Sequence, residues 1–160
     1  MTERPELRCF SLLRERKTTF AAAESCTGGL IAKRITDIPG ASEVFPGGVV
    51  SYTNGVKARL LGVSEKTLAE AGAVSAATAR EMAEGVRRAA GADIGVSVTG
   101  LAGPSGDDRG NPVGTVFLAL ADERGTVVRH FLYEGGDRES IRTRAADDAF
   151  SLLAERLTEK

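Results

Sequence analysis

The chain has 160 residues, 42% of them hydrophobic and 27% charged, with a formal net charge of −1. This is the mix of one ordinary globular domain spanning residues 1–160, with a sizeable core and no cationic surplus to hold a phosphate backbone, so nucleic acid is not an expected partner. No apolar run approaches the roughly 20 residues that span a bilayer, and the opening segment MTERPELR lacks the apolar centre of a signal peptide. The expected location is therefore the cytoplasm, without membrane association. The two cysteines, Cys9 and Cys26, fit a reducing compartment and show no metal-type spacing. A single histidine, His130, excludes a histidine-rich metal site.

In chain order, Leu7, Phe10 and Leu13 recur at helical spacing and predict a helix over Pro5–Arg16. Thr18–Ala23 reads as a buried strand that stops at Glu24-Ser25-Cys26-Thr27-Gly28-Gly29. A helix follows over Gly28–Thr36, with Thr27 the expected N-cap, and Pro39-Gly40 breaks it. One turn is expected at Ser42–Phe45, then a strand at Gly47–Tyr52 closed by Asn54-Gly55. Short helices follow over Val56–Leu61 and Glu65–Ala71, the second capped by Ser64. Ser75 caps a longer helix that reaches Ala90. Ile94–Val98 is a strand, Thr99–Pro112 a long glycine-rich loop, and Val113–Leu120 with Val127–Tyr133 a hairpin. A last helix runs over Ser140–Leu157. This order predicts an α/β fold, a three-layer α/β/α sandwich on a mixed, mostly parallel sheet.

Two stretches can carry chemistry. A strand turning sharply into a helix at Ser25–Gly29 leaves free backbone N–H groups at the sheet's carboxyl end, where open α/β sheets bind ligands. Gly28 and Gly29 let a ligand approach the backbone there. The Thr99–Pro112 loop, with Gly100, Gly103, Gly106 and Gly110, offers bare amides to an anion but matches neither a dinucleotide fingerprint nor a P-loop; the plain alternative is a flexible crossover. A serine nucleophile needs a base. His130 falls in mid-strand, away from any loop end. Lys57 follows the second strand and faces Ser25 if the first two strands are neighbours; the plain alternative is a solvated lysine. Cys26 ranks below Ser25, because strand alternation turns it to the other face. Arg138 and Arg142, near the start of the last helix, are either exposed arginines or a phosphate clamp.

The segments AESCTGGLIAKRITDIPGAS (Ala23–Ser42), GGVVSYTNGVKARLLGV (Gly47–Val63), GAVS (Gly72–Ser75), SVTGLAGPSG (Ser97–Gly106) and NPVGTVFLALA (Asn111–Ala121) occur in that order. Together they closely resemble the C-terminal domain of competence/damage-inducible protein CinA, the nicotinamide-nucleotide amidohydrolase family; GGDRESIR (Gly135–Arg142) resembles its last helix. Some members carry a further N-terminal domain, and the length here implies the stand-alone form. The resemblance implies an α/β/α sandwich that hydrolyses the carboxamide of nicotinamide mononucleotide to nicotinate mononucleotide and ammonia, with no cofactor or metal. Carried over residue by residue, Ser25 resembles the nucleophile and Lys57 of the YxNxxK stretch its base, with Tyr52 assisting. Thr27, Gly28, Gly29, Ser42, Asn54, Thr99, Gly100 and Gly103 resemble substrate contacts. An arginine, Arg138 or Arg142, resembles the phosphate ligand. Asp107-Asp108-Arg109 is the part of the loop that aligns least well.

The expected partner is thus a small nucleotide substrate, with the oligomeric state open and a homo-oligomer among the options. The competing reading is a non-catalytic nucleotide-binding or protein-interaction module on the same fold. The joint presence of Ser25, Tyr52 and Lys57 favours the enzyme. A Ser-His-Asp esterase fails on the lone histidine and the missing GxSxG.

Overall fold

The computed structural model describes residues 3–160; the first two residues of the opening segment lie outside the described residues. The helices are α1 (Pro5–Arg16), α2 (Leu30–Thr36), α3 (Asn54–Leu61), α4 (Glu65–Glu70), α5 (Ala76–Ala90) and α6 (Arg138–Thr158). The strands are β1 (Phe20–Glu24), β2 (Gly48–Val50), β3 (Ile94–Gly100), β4 (Thr115–Asp122) and β5 (Gly125–Leu132). The sheet runs β2-β1-β3-β4-β5. β1 is parallel to both β2 and β3, and β3, β4 and β5 are antiparallel in turn. The sheet is therefore mixed, with its parallel strands on the β2 side and the expected hairpin on the other.

Alternation along β1 sorts the helices into two layers. Phe20 and Ala22 join Cys9, Leu13, Ile31, Ile35, Ile141 and Phe150, from α1, α2 and α6. Phe20 sits against Phe45 with ring centroids 5.0 Å apart. Ala21 and Ala23 face the other way, onto Leu61, Met82 and Val86 of α3 and α5. On that side α5 lies close to the backbone, because Gly85 and Gly95 have no Cβ; one added there would run into Leu61 or Ala83. Ser64, Ser75 and Asp137 cap α4, α5 and α6 through their side-chain oxygens.

Several boundaries differ from the sequence reading, each for a local reason. α2 starts at Leu30, not Gly28, and its cap is Gly29 in the left-handed region (φ 104°), not Thr27. The Asn54-Gly55 pair, expected to close a strand, is instead the first turn of α3, capped by Thr53 accepting from the Val56 amide. β2 is correspondingly only three residues long. β3 continues through Thr99 and Gly100, paired with Phe117 and Val116.

Candidate active site

Two-residue alternation from Ala21 and Ala23 carries Ser25 onto the α3–α5 side of the sheet. Lys57 and Leu61 are the buried residues of α3, one turn apart on the stripe that docks there. The parallel pairing of β1 and β2 brings the α3 entry next to the end of β1. The result is a direct contact: Lys57 Nζ lies 2.9 Å from Ser25 Oγ and donates to the Ser51 carbonyl at 2.7 Å. Lys57 is 1% exposed. No carboxylate among the described residues is paired with it, and burial lowers its pKa to about 8, with only a small opposing influence from the nearby Cys26.

The turn after Ser25 is held from two sides. Glu24 points away from Ser25, is 1% exposed, and accepts from the amides of Ile31 (2.9 Å) and Ala32 (3.1 Å). It thus fills the N-terminal role expected of Thr27, with a negative charge where the helix dipole favours one. Arg142 of α6 reaches across to the other side. Its Nε donates to the Cys26 carbonyl at 3.0 Å and its Nη2 to the Thr27 carbonyl at 2.9 Å. Gly28 makes room for it: a Cβ there would stand 2.9 Å from Arg142 Nη2. Among the described residues no backbone carbonyl accepts from the amides of Cys26, Thr27 or Gly29. The Thr27 hydroxyl is buried without a partner among the described residues. The Cys26 thiol sits in the core on the other face, where desolvation pushes its pKa up to about 12, so it is no thiolate at neutral pH.

A second group of residues surrounds Arg138, one turn before Arg142 on the same helix. Arg138 donates to the Gly103 carbonyl at 2.7 Å and to the Tyr52 hydroxyl at 2.8 Å. Tyr52, expected beside Lys57, is 57% exposed and bonded to Arg138 instead. Lys57 is therefore desolvated by the sheet and α3 rather than by Tyr52.

The other expected contacts divide. Thr99 is at the right edge of the sheet, but its hydroxyl donates to the Ala73 carbonyl at 2.7 Å. Gly100 is there for packing, since a Cβ would lie 2.6 Å from Val116 Cγ2. Asn54 is exposed on the first turn of α3. Ser42 lies away from the group: it is in the short 3-10 helix Ala41–Glu43, whose next residue, Val44, accepts from the Phe20 amide at the opposite end of β1. His130 lies on the far edge strand, stacked on Phe117 with centroids 4.4 Å apart. Glu24 and Ser51 were not foreseen. An acid just before a helix is a readable signal for the first; the second acts through its backbone and leaves none. The more obvious surface hollows are elsewhere, one of them between Arg16, Arg87 and Arg156 beyond the opposite edge of the sheet, so chemistry rather than depth marks this site.

Fold and site define a three-layer α/β protein with a serine–lysine pair at the carboxyl edge of its parallel strands. The chain belongs to the CinA C-terminal domain family, which matches residues 2–157. It is 52% identical over 143 residues to a CinA-like protein of Syntrophus aciditrophicus, covering 89% of this chain and 34% of that protein. It is 51% identical over 142 residues to a putative competence-damage inducible protein of Caldanaerobacter subterraneus, with the same coverage of 89% and 34%. The chain thus spans about a third of the length of these curated relatives. Solved structures match over nearly their full length. The competence damage-inducible protein A of Klebsiella pneumoniae superposes with a TM-score of 0.94 at 34% identity, covering 97% of this chain and 96% of that one. A competence/damage inducible protein of Agrobacterium tumefaciens gives 0.90 at 36% identity, covering 99% and 98%.

Proposed function

We propose that this chain hydrolyses the carboxamide of nicotinamide mononucleotide, giving nicotinate mononucleotide and ammonia, with Ser25 as nucleophile and Lys57 as base. The observation that carries this reading is the 2.9 Å contact between Ser25 Oγ and a buried Lys57 Nζ whose pKa is lowered to about 8. A lysine so placed has an accessible neutral form near neutral pH. The Ser51 carbonyl takes one N–H of the amine and leaves the lone pair for the serine proton.

In the first half-reaction Lys57 takes the Ser25 proton as Oγ bonds to the carboxamide carbon. The carbonyl oxygen becomes an oxyanion beside the open amides of the Cys26–Thr27 turn. Its collapse breaks the C–N bond, and the Lys57 proton leaves with the nitrogen as ammonia. Water then attacks the acyl-serine and gives one proton to Lys57, which returns it to Ser25 Oγ as the acyl C–O bond breaks; the acid so formed loses its remaining proton to solvent and departs as the carboxylate. Each step needs only these side chains and water.

The two arginines take different roles in this reading. Arg142 is committed to two backbone carbonyls and shapes the turn. Arg138 is exposed and holds only neutral acceptors, so the substrate's phosphate is the better partner for it. The test is ammonia release from the mononucleotide by purified protein and by Ser25→Ala. Release by the wild type alone supports the reading. Release by neither protein returns the chain to a nucleotide-binding module.

A further inference from the structure

The stretch Asp107-Asp108-Arg109 is built into the fold in a specific way. The loop between β3 and β4 is closed at its base, where the Leu101 amide donates to Thr115 O and the Gly114 amide to Leu101 O. At its outer part the Asp107 carboxylate accepts from the amides of Arg109 (3.0 Å) and Asn111 (2.9 Å) and from Asn111 Nδ2 (2.7 Å). That turn aims the Arg109 side chain back at the body of the protein. There its Nη1 donates to Glu70 O at 3.0 Å and its Nη2 to Ala69 O at 2.6 Å, two carbonyls at the C-terminus of α4. A guanidinium suits that end of a helix, where orphan carbonyls and the dipole favour a cation. Gly72 accommodates the approach, since a Cβ on it would stand 2.5 Å from Arg109 Nε. Between base and staple lies Gly103, whose carbonyl holds Arg138.

We propose that Arg109 is a positioning residue: by stapling the loop to α4 it fixes the Gly103 carbonyl, and through it the guanidinium of Arg138, where a phosphate monoester is bound. The inference rests on the nucleotide reading above and adds to it the residue that sets preference for a phosphorylated substrate. The staple acts on binding of the distant phosphate and leaves Ser25 and Lys57 untouched. A loop merely needed for folding would affect every substrate alike.

The experiment compares wild type, Arg109→Ala and Arg109→Lys. Hydrogen exchange of the loop amides reads the staple without substrate, and steady-state kinetics on the mononucleotide and on its riboside read its consequence. In Arg109→Ala the amides between 103 and 111 exchange faster. KM for the mononucleotide rises about tenfold, the loss for one loosened charge-assisted contact, while kcat and turnover of the riboside hold. Arg109→Lys, keeping a cation at the helix end, recovers part of the KM. Unchanged loop exchange overturns the proposal, as does an equal fall on riboside and mononucleotide. If the wild type hydrolyses neither compound, the functional reading fails; the staple is then decided by loop exchange alone.

Discussion

Replacing Lys57 by methionine, an unbranched side chain of similar length, separates what this residue costs the fold from what it gives the site. Burial lowers its pKa from 10.5 to about 8, and at 1.36 kcal/mol per unit that is about 3 kcal/mol against the charged form in the folded protein. At pH 7, below both values, Lys57 is charged folded and unfolded, and the whole cost is present. As pH climbs through about 8 the folded protein releases the proton, while the unfolded chain keeps it until 10.5. The unfolded state then binds more protons, so wild-type stability rises with pH over that window. Methionine contributes no such slope. It leaves the Ser51 carbonyl without a donor, at about 1–3 kcal/mol, but that loss is the same at every pH. The stability of Lys57→Met relative to wild type should therefore fall by about 2.5 kcal/mol between pH 7 and pH 10. Burial holds the folded Cys26 thiol at about 12, neutral over this range with or without Lys57, so its own contribution cancels. Urea unfolding of the two proteins at pH 7, 8.5 and 10 measures the difference, with ammonia release as the activity readout: Lys57→Met should be inactive throughout. Parallel stability curves across this range would refute the reasoning, because they would place the Lys57 pKa at its ordinary value.

The remaining predictions concern activity. Ser25→Ala and Lys57→Ala should each remove nearly all turnover and the double variant little more, as for groups that act as a unit; His130→Ala, on the far edge strand, should turn over as wild type. The rate at limiting substrate should rise about tenfold per pH unit up to about 8 and then level, following neutral Lys57; a flat profile from pH 6 to 9 would remove the lysine as base. Arg138→Ala should raise KM for the mononucleotide and spare the riboside, whereas Arg142→Ala should lower kcat on both, because it frees the Cys26 and Thr27 carbonyls. Steady-state kinetics on the two compounds distinguish these outcomes, and the reverse pattern would exchange the two roles.

What could be read from the sequence was what depends on local periodicity. α1 keeps its expected bounds because its apolar spacing and Pro5 at its start are local signals. The opposite facing of Ser25 and Cys26 follows from strand alternation alone. The proximity of Ser25 to Lys57 needed only one further fact, that β1 and β2 are neighbours. What escaped depends on distant partners. Tyr52 was expected to assist Lys57 from the motif that holds both, yet α3 buries Lys57 while Tyr52 is exposed and bonded to Arg138. Thr27 reads as a helix cap by residue type, but the Glu24 carboxylate takes the α2 amides. Ser42 stands in a motif-rich stretch that passes the wrong end of β1. The loop reads as flexible by composition, and only the fold brings Arg109 to the end of α4.

The Arg142 bond to the Cys26 carbonyl spans 116 residues of chain. At roughly 5–20 residues per second, a ribosome that has made Cys26 needs about 6 to 23 seconds to reach its partner. Throughout that interval the Ser25 turn exists without the guanidinium that holds its carbonyls, and α6 has not yet covered its layer of the sheet. A nascent chain that already carries Ser25 and Lys57 therefore lacks these two bonds until α6 has been made. Loosening of α6 in the finished protein would break them first, so activity should disappear in mild denaturant before the sheet itself melts.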